Sequence, residues 1–250
     1  MTALKLASRG LLAAALITGL SGVARADDDI DRVSLEGTLG QERIGMTLLI
    51  KNGKTLSGGH YFYGRYLKDI PLRGKLQGET LRLSEAGGGE FQLRFKNNGG
   101  GDGQPLGFDN SVGLDGSWTL KAKTLPVALS IGDMAPAADG RWYQDVTEES
   151  DAAFEARVQG FQRAALAGQA QQASRYVHFP LRINHKGNSR QIADARQLQA
   201  EWSGIFTPAY LEQLQLAMAH DLFVRNGQAM LGSGVAWFDA KGAVALNLPD

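Results

Sequence analysis

Residues 32–132 alternate apolar and polar side chains with a period of two, and this pattern constrains the possible fold more than any other. In the stretch RIGMTLLIK, every second residue from Ile44 to Ile50 is apolar, and an Asn-Gly pair follows at Asn52. Alternation of this kind predicts strands with one buried face, and Asn-Gly pairs close tight hairpins. We therefore predict about eight short antiparallel strands, arranged as a small barrel or a sandwich.

A Leu-x-Gly unit recurs within the same region. Glycine weakens the interior of a strand, so its repetition indicates a geometric requirement that the strands share. Sharp curvature, or the close approach of a neighbouring backbone, would create that requirement. The glycines of the repeated unit are Gly37, Gly58, Gly74, Gly78 and Gly116.

The sequence pattern changes after the stretch GDMAPAADGRWYQD, which we interpret as a linker. Beyond it, Phe154, Val158 and Phe161 have helical spacing, with Thr147 or Ser150 as the N-cap and Gly168 as the stop. We therefore predict an all-β domain over residues 27–134, a linker over 135–147 and an α+β domain over 148–250.

For the rest of the second half we predict three further helices, QAQQASRYV, DARQLQAEWSGIF and PAYLEQLQLAMA, and four strands. The strands are HFPLRIN, DLFVRN, QAMLGSGVAWFD and AVALNL. In VAWFD, alternation places Val235 and Trp237 on one face. We expect Trp237 to be buried against Trp202 or Phe206. A place in the packed core is the preferred interpretation, and a place in the wall of a pocket is the second.

The first 26 residues have the features of an export signal. Lys5 and Arg9 precede the apolar run LLAAALITGLSGV, which is too short to span a bilayer comfortably. Ala24 and Ala26 then match the small-residue pattern of a cleavage site, so we expect mature protein to begin at Asp27. The expected location is the periplasm or the exterior, with no membrane anchor after cleavage.

Charge and cysteine content exclude several classes of function. Cleavage would remove three basic residues and no acid, leaving 23 basic and 26 acidic side chains and a net charge of −3. Such a chain is a poor partner for nucleic acid, which needs a basic face. The absence of cysteine excludes disulfides, thiol catalysis, thiolate metal sites and lipid attachment. The four histidines form no zinc-binding motif, so the sequence predicts no metal site and no cofactor.

The second half resembles the nuclear transport factor 2-like superfamily, through FPLRIN, EWSGIFTPAYLEQL and DLFVRNGQAMLGSGVAWFD. It is especially similar to uncharacterised exported bacterial members, and the resemblance covers about residues 148–250. It implies a cone-shaped α+β fold, whose interior is either a filled core or a ligand pocket. Fold alone does not establish function, because the superfamily includes both enzymes and binding proteins. The first half is weakly similar to small up-and-down β-barrels, through its GSW unit and glycine-rich loops.

The superfamily's enzymes move a proton beside a carbonyl group, using an acid or a histidine inside the cone. The resemblance makes His178, Asp221 and His220 weak candidates for such a base, with Tyr176 as a possible oxyanion donor. No residue-by-residue match to such a site is present, so the alternative is that these are ordinary polar groups near the ends of helices and strands.

The stretch HYFYGRY places four aromatic rings among seven residues, 60–66. If the alternation continues from Leu56, Phe62 lies on the same face as Leu56 and is a core residue. Tyr61 and Tyr63 then point outward beside Arg65. These three would form an interaction surface, because tyrosine and arginine are enriched at interface anchors. The alternative is aromatic packing between strands on the sheet surface.

Two functions remain open from the sequence. The first is a non-catalytic exported protein that binds a partner protein or a small apolar ligand, through Tyr61, Tyr63 and Arg65 or through Trp202 and Trp237. The second is a small isomerase or dehydratase-like enzyme that acts inside the cone.

Overall fold

The computed structural model of the protein describes residues 29–97, 103–137 and 140–250. The predicted export signal and part of the glycine-rich loop near residue 100 lie outside these ranges. Within them, no helix has both the length and the apolar character needed to cross a membrane. The described chain forms a closed antiparallel β-barrel, followed by a C-terminal unit of helices on a mixed sheet. The prediction of an all-β half followed by an α+β half is thereby confirmed.

The barrel is built by strands that each pair with the next along the chain, and β1 pairs with β8 to close it. The choice between barrel and sandwich is therefore settled in favour of the barrel. The strands are β1 (Ile30–Leu39), β2 (Glu42–Lys51), β3 (Thr55–Tyr63), β4 (Ile70–Gln77), β5 (Thr80–Glu85), β6 (Glu90–Lys96), β7 (Gly113–Leu120) and β8 (Lys123–Pro136).

Aliphatic side chains from all around the barrel fill its interior. Val33, Leu48, Leu81, Leu93 and Leu114 are completely buried there. A barrel of this strand number leaves an interior just wide enough for side chains to fill it. The period-two pattern of the sequence is the direct result of this packed interior.

Three glycines of the Leu-x-Gly units allow neighbouring backbones to approach closely, as the repetition predicted. A Cβ atom on Gly37, Gly74 or Gly116 would lie about 2 Å from a carbonyl oxygen of the adjacent strand. The explanation does not extend to Gly58, where a Cβ atom would have open space. Gly78 instead occupies a turn, with a φ of +55°.

We predict that Gly116→Ala destabilises the protein strongly, while Gly58→Ala is nearly neutral. The alanine at 116 would press on the Gln92 carbonyl oxygen, 2.0 Å away, and overpacking of this kind costs about 1–3 kcal/mol or more. Chemical denaturation of both variants measures the difference. Equal free energies of unfolding would contradict the close-approach explanation.

The sheet of the C-terminal unit has the strand order β10-β9-β14-β13-β12-β11, in which only β9 and β14 are parallel among the described strands. The strands are β9 (Val177–His185), β10 (Asn188–Ile192), β11 (Phe223–Arg225), β12 (Gln228–Leu231), β13 (Ala236–Asp239) and β14 (Gly242–Asn247). The helices are α1 (Asp151–Leu166), α2 (Ala170–Ala173), a 3₁₀ turn (Ser174–Tyr176), α3 (Ala195–Ala200), α4 (Trp202–Ile205) and α5 (Pro208–Leu216).

Helix α1 supplies one side of the C-terminal core. Ser150 is its N-cap and accepts a hydrogen bond from the Ala153 N–H, as the sequence predicted. Phe154, Val158 and Phe161 are completely buried. Phe161 contacts Phe238 of β13, with ring centroids 5.5 Å apart. Aromatic rings therefore occupy the space between α1 and the sheet.

The prediction for QAMLGSGVAWFD was wrong in two respects. The segment forms two strands, β12 and β13, because Gly232 and Gly234 adopt positive φ values in a turn between them. Ala236 and Phe238 face the core and are completely buried, whereas Trp237 has the opposite parity and is only half-buried. Trp237 is therefore not the core residue that we expected.

Two residues of the segment 135–147, which we interpreted as a linker, belong to the C-terminal core. Tyr143 is completely buried and Val146 is 9% exposed, both within that core. The segment therefore contributes side chains to the C-terminal core at these two residues. The domain boundaries themselves stay predictions.

Candidate functional site

A β-bulge in β3 reverses the side-chain parity that we predicted for the aromatic stretch. Leu49 pairs with Gly58 and Ile50 pairs with Leu56, so Ser57 is an extra residue in β3. One extra residue exchanges the two faces of a strand. Leu56 and Tyr61 therefore both point into the barrel, although they are five residues apart.

The outward projection predicted for Tyr61 and Tyr63 was consequently wrong. Tyr61 is 1% exposed and contacts Phe91 inside the barrel. Tyr63 is half-buried against the same core. Arg65 is exposed as predicted, but its guanidinium lies over the ring of Tyr66 and 3.4 Å from Glu42. Tyr66, which is 65% exposed, is the tyrosine that this surface presents to solvent.

The opposite face of β3 contacts the C-terminal unit. Phe62 is 3% exposed, and its ring meets the imidazole of His220 edge-on at a centroid distance of 4.5 Å. Its cross-strand partner is Gly45, which leaves room for the ring: a Cβ atom there would lie 2.2 Å from Phe62. Phe62 therefore joins the barrel to the second unit.

Asp221 connects the two units through its carboxylate. Its Oδ2 atom lies 2.5 Å from His60 Nε2 and accepts a hydrogen bond of 2.7 Å from the Thr47 hydroxyl. Both partners belong to the barrel, and Thr47 is nearly completely buried. Asp221 follows α5 and precedes β11, and its backbone is left-handed, with a φ of +50°.

His220, the neighbour of Asp221, is held on both of its ring nitrogens. Nδ1 lies 2.6 Å from Glu155 of α1, and Nε2 lies 2.8 Å from Asp69 in the β3–β4 loop. Glu155 in turn accepts hydrogen bonds from the Tyr143 hydroxyl at 2.8 Å and from the Asp221 N–H at 3.1 Å. The orientation of the imidazole is therefore fixed by a buried network.

The carboxylates around these histidines determine their protonation. Burial opposes the charged form of His220, but its hydrogen bonds to Glu155 and Asp69 outweigh this effect and raise its pKa to about 9. Burial likewise opposes the charged form of His60, yet Asp221 raises its pKa overall. Burial opposes the charge of Asp221 as well, but His60 holds its pKa below the usual range. The neighbouring carboxylates therefore favour the protonated form of both histidines.

The same atoms could hold a metal ion. One donor atom from each of His60, Asp69, His220 and Asp221 lies within 4.8 Å of every other. The sequence predicted no metal site, because these residues come from separate segments and form no spaced motif. The fold brings the segments together where the barrel meets the C-terminal unit.

A cleft of about 470 Å³ borders this cluster between the two units. We call it the inter-unit cleft. Met218, Leu222, Phe223 and Met230 give it an apolar lining, and its polar lining includes Asp133, His220 and Asp221. Burial raises the pKa of the Asp133 carboxyl, because few water molecules reach it.

A second cavity of about 400 Å³ borders Thr47 and His60. Arg32 of β1 lines it, with the guanidinium carbon 3.9 Å from the centre of the Trp142 ring. Trp142 also donates a hydrogen bond of 2.9 Å to the Leu222 carbonyl oxygen. The junction between the units is thus bordered by cavities and crossed by polar contacts.

The structure brings the catalytic candidates His220 and Asp221 together in the cluster, but it places His178 and Tyr176 elsewhere. His178 Nδ1 lies 2.5 Å from the Asp239 carboxylate, whereas Asp221 belongs to the cluster at the junction. Tyr176 is half-buried and packs its ring over Gly160 of α1. These three residues therefore do not converge on one site in the way that a proton-transfer site requires.

Neither of the two tryptophans proposed as ligand-binding residues is among the residues that line the inter-unit cleft. Trp202 is half-buried and stacks on Phe206, with ring centroids 3.8 Å apart. Trp237 is half-buried on the face of β13 opposite the core. A binding role for either residue stays a prediction.

Comparisons of the chain with models of known protein families, with curated proteins and with solved structures found no match.

Sequence reasoning considered His220 and Asp221, but it missed their partners His60, Thr47, Asp69 and Glu155. One signal was available in the sequence. His60 and Phe62 are two residues apart in a strand, so they lie on the same face, and the bulge turns that face away from the barrel interior. Glycine pairs such as Gly58–Gly59 mark possible bulges, because glycine inside a strand often accompanies them.

We predict that Tyr143→Phe costs about 1–3 kcal/mol of unfolding free energy. The hydroxyl accepts a hydrogen bond from the Leu222 N–H at 2.9 Å and donates one to Glu155, so its removal leaves two buried groups without this partner. Tyr66→Phe, at an exposed tyrosine, is the matched control and should change stability little. Equal unfolding curves for the two variants would show that the Tyr143 hydroxyl does not support the cluster.

Proposed function

We propose that this protein is exported and acts as a non-catalytic binding protein, with its ligand in the inter-unit cleft. Export is supported by the charged, apolar and small-residue order of the first 26 residues. We further propose that the C-terminal unit is related to the nuclear transport factor 2-like superfamily, which its FPLRIN and VAWFD stretches resemble.

The single observation that carries the proposal is the composition of the cleft. Ligand sites are typically concave and mostly apolar, with a few polar groups that fix the orientation of the ligand. The cleft combines both kinds of group, because Met218, Phe223 and Met230 line it together with the Asp133 carboxylate of the barrel and other polar side chains. Methionine side chains adapt well to ligands of varied shape.

These residues favour a small ligand with an apolar body and a hydrogen-bond donor. Asp133 and Asp221 offer carboxylate oxygens, which accept hydrogen bonds and favour an N–H or O–H group on the ligand. The apolar side chains would cover the remainder of the molecule. An anionic ligand is disfavoured, because Glu36 also lines the cleft.

The enzyme alternative receives less support from the C-terminal core. Phe206 and Phe238 each contact the ring of Phe161 and all three are buried, where a cone-shaped active site would need open space. His178 pairs with Asp239, away from Asp221. We therefore favour binding in the cleft over isomerase or dehydratase chemistry inside the cone.

The test uses N-phenyl-1-naphthylamine, a fluorescent probe with an apolar body and one N–H donor. We predict saturable binding to the wild-type protein and a loss of about tenfold or more in affinity for Gly132→Leu. Gly132 lines the cleft, and its nearest neighbour at the Cβ position is the Ser34 carbonyl oxygen at 3.6 Å, so leucine fills the cleft without a backbone clash.

Gly58→Leu is the matched control. Gly58 is also a barrel-strand glycine with an open Cβ position, 3.9 Å from the nearest atom, and it does not line the cleft. This variant should bind the probe like the wild-type protein. Equal affinities for Gly132→Leu and Gly58→Leu, or no binding by the wild-type protein, would refute the cleft as the ligand site.

A further inference from the structure

We propose that His60, Asp69, His220 and Asp221 form a binding site for a divalent transition-metal ion of the zinc class. The site lies where the barrel meets the C-terminal unit, and each side contributes two of the four residues. The inference rests on the donor atoms of this cluster and not on the lining of the inter-unit cleft, although His220 and Asp221 belong to both.

The arrangement of the donor atoms is the first argument. Zn²⁺ takes four ligands at about 2.0–2.2 Å in a tetrahedron, which places its nitrogen and oxygen donors roughly 3.3 Å apart. His60 Nε2 and His220 Nε2 lie 3.4 Å and 2.8 Å from the same oxygen of Asp69. His220 Nε2 lies 3.9 Å from Asp221 Oδ1. Small adjustments of the side chains would place all four donors around one ion.

The second argument concerns the other nitrogen of His220. Metal-binding histidines almost always direct their second ring nitrogen to a carboxylate or a carbonyl, which orients the ring and increases its basicity. His220 Nδ1 meets this condition through Glu155, at 2.6 Å. Glu155 is itself fixed by the Tyr143 hydroxyl, so the ring presents Nε2 to the cluster.

The ligand carboxylate of Asp221 is supported in the same way. The Thr47 hydroxyl donates a hydrogen bond to Oδ2, and the Asp221 backbone N–H is bound to Glu155. The side chains of His220 and Asp221 are 12% and 11% exposed, so water competes little for these ligands. Asp69 is 49% exposed and provides the open side through which an ion can enter.

The donor set selects the class of metal. Two imidazole nitrogens favour Zn²⁺, Ni²⁺, Cu²⁺ or Fe²⁺ over Mg²⁺ and Ca²⁺, which prefer oxygen ligands. Four side chains complete the coordination of a structural zinc ion without an open position. The bound ion would therefore link the barrel to the C-terminal unit and act as a structural clamp.

The experiment is a calorimetric titration of the whole chain with ZnCl₂, after removal of metals by a chelator and without an affinity tag. The expected result is one Zn²⁺ per chain. His60→Gln and Asp69→Asn should each lower the affinity by about tenfold or more. Glu155→Gln should do the same, because Glu155 supports both His220 and the backbone of Asp221 without being a ligand itself. Asp69→Asn is the decisive variant, because Asp69 is half-exposed in a loop and its replacement should leave the fold intact.

His178→Gln provides the matched control, since His178 forms a histidine–carboxylate pair with Asp239 outside the cluster. It should bind Zn²⁺ like the wild-type protein. The proposal is overturned if the wild-type chain fails to bind Zn²⁺ in a one-to-one ratio. It is also overturned if Asp69→Asn binds Zn²⁺ as well as His178→Gln does.

Discussion

The contact of the Asp221 carboxylate with His60 and Thr47 is the interaction on which the junction of the two units depends. Asp221 holds a left-handed backbone, which costs an L-residue roughly 1–2 kcal/mol. Hydrogen bonds to a charged group contribute about 1.5–3 kcal/mol each, so the two contacts of its carboxylate outweigh that strain. The strained backbone directs the carboxylate to the barrel, while its own N–H stays bound to Glu155 of the C-terminal unit. Asp221 is thus bonded to both units and holds them in a fixed relative position.

The buried groups around this contact form a continuous chain from the connecting segment to the barrel. Tyr143 binds Glu155, Glu155 binds His220, and His220 binds Asp69. Tyr143, Glu155 and His220 each satisfy a buried polar group of the next residue, so the loss of one would leave a buried group without that partner. The inter-unit cleft borders this chain through His220 and Asp221. A ligand in the cleft would therefore contact the groups that hold the two units together.

The sequence predicted the fold well, because both halves have long periodic patterns. Alternation in RIGMTLLIK marks a barrel strand, and the spacing of Phe154, Val158 and Phe161 marks helix α1, including its Ser150 cap. The candidate site was predicted poorly, because it depends on contacts between distant segments. The bulge at Ser57 reversed the faces of β3, so Tyr61 became core and His60 became a contact of the C-terminal unit. In β13, Phe238 and not Trp237 faces the core, because the buried face of the strand is the one that carries Ala236.

The central claim is that Asp221 and His60 couple the barrel to the C-terminal unit, and a double-mutant cycle tests it most directly. His60→Gln, Asp221→Asn and the double variant would be unfolded in urea, in the presence of a chelator so that no metal ion contributes. Residues in direct contact within one network show interaction energies of about 0.5–3 kcal/mol. The account predicts a favourable coupling of at least about 1 kcal/mol, with the barrel and the C-terminal unit unfolding together in the wild-type protein. Additive effects of the two substitutions, within about 0.3 kcal/mol, would contradict it.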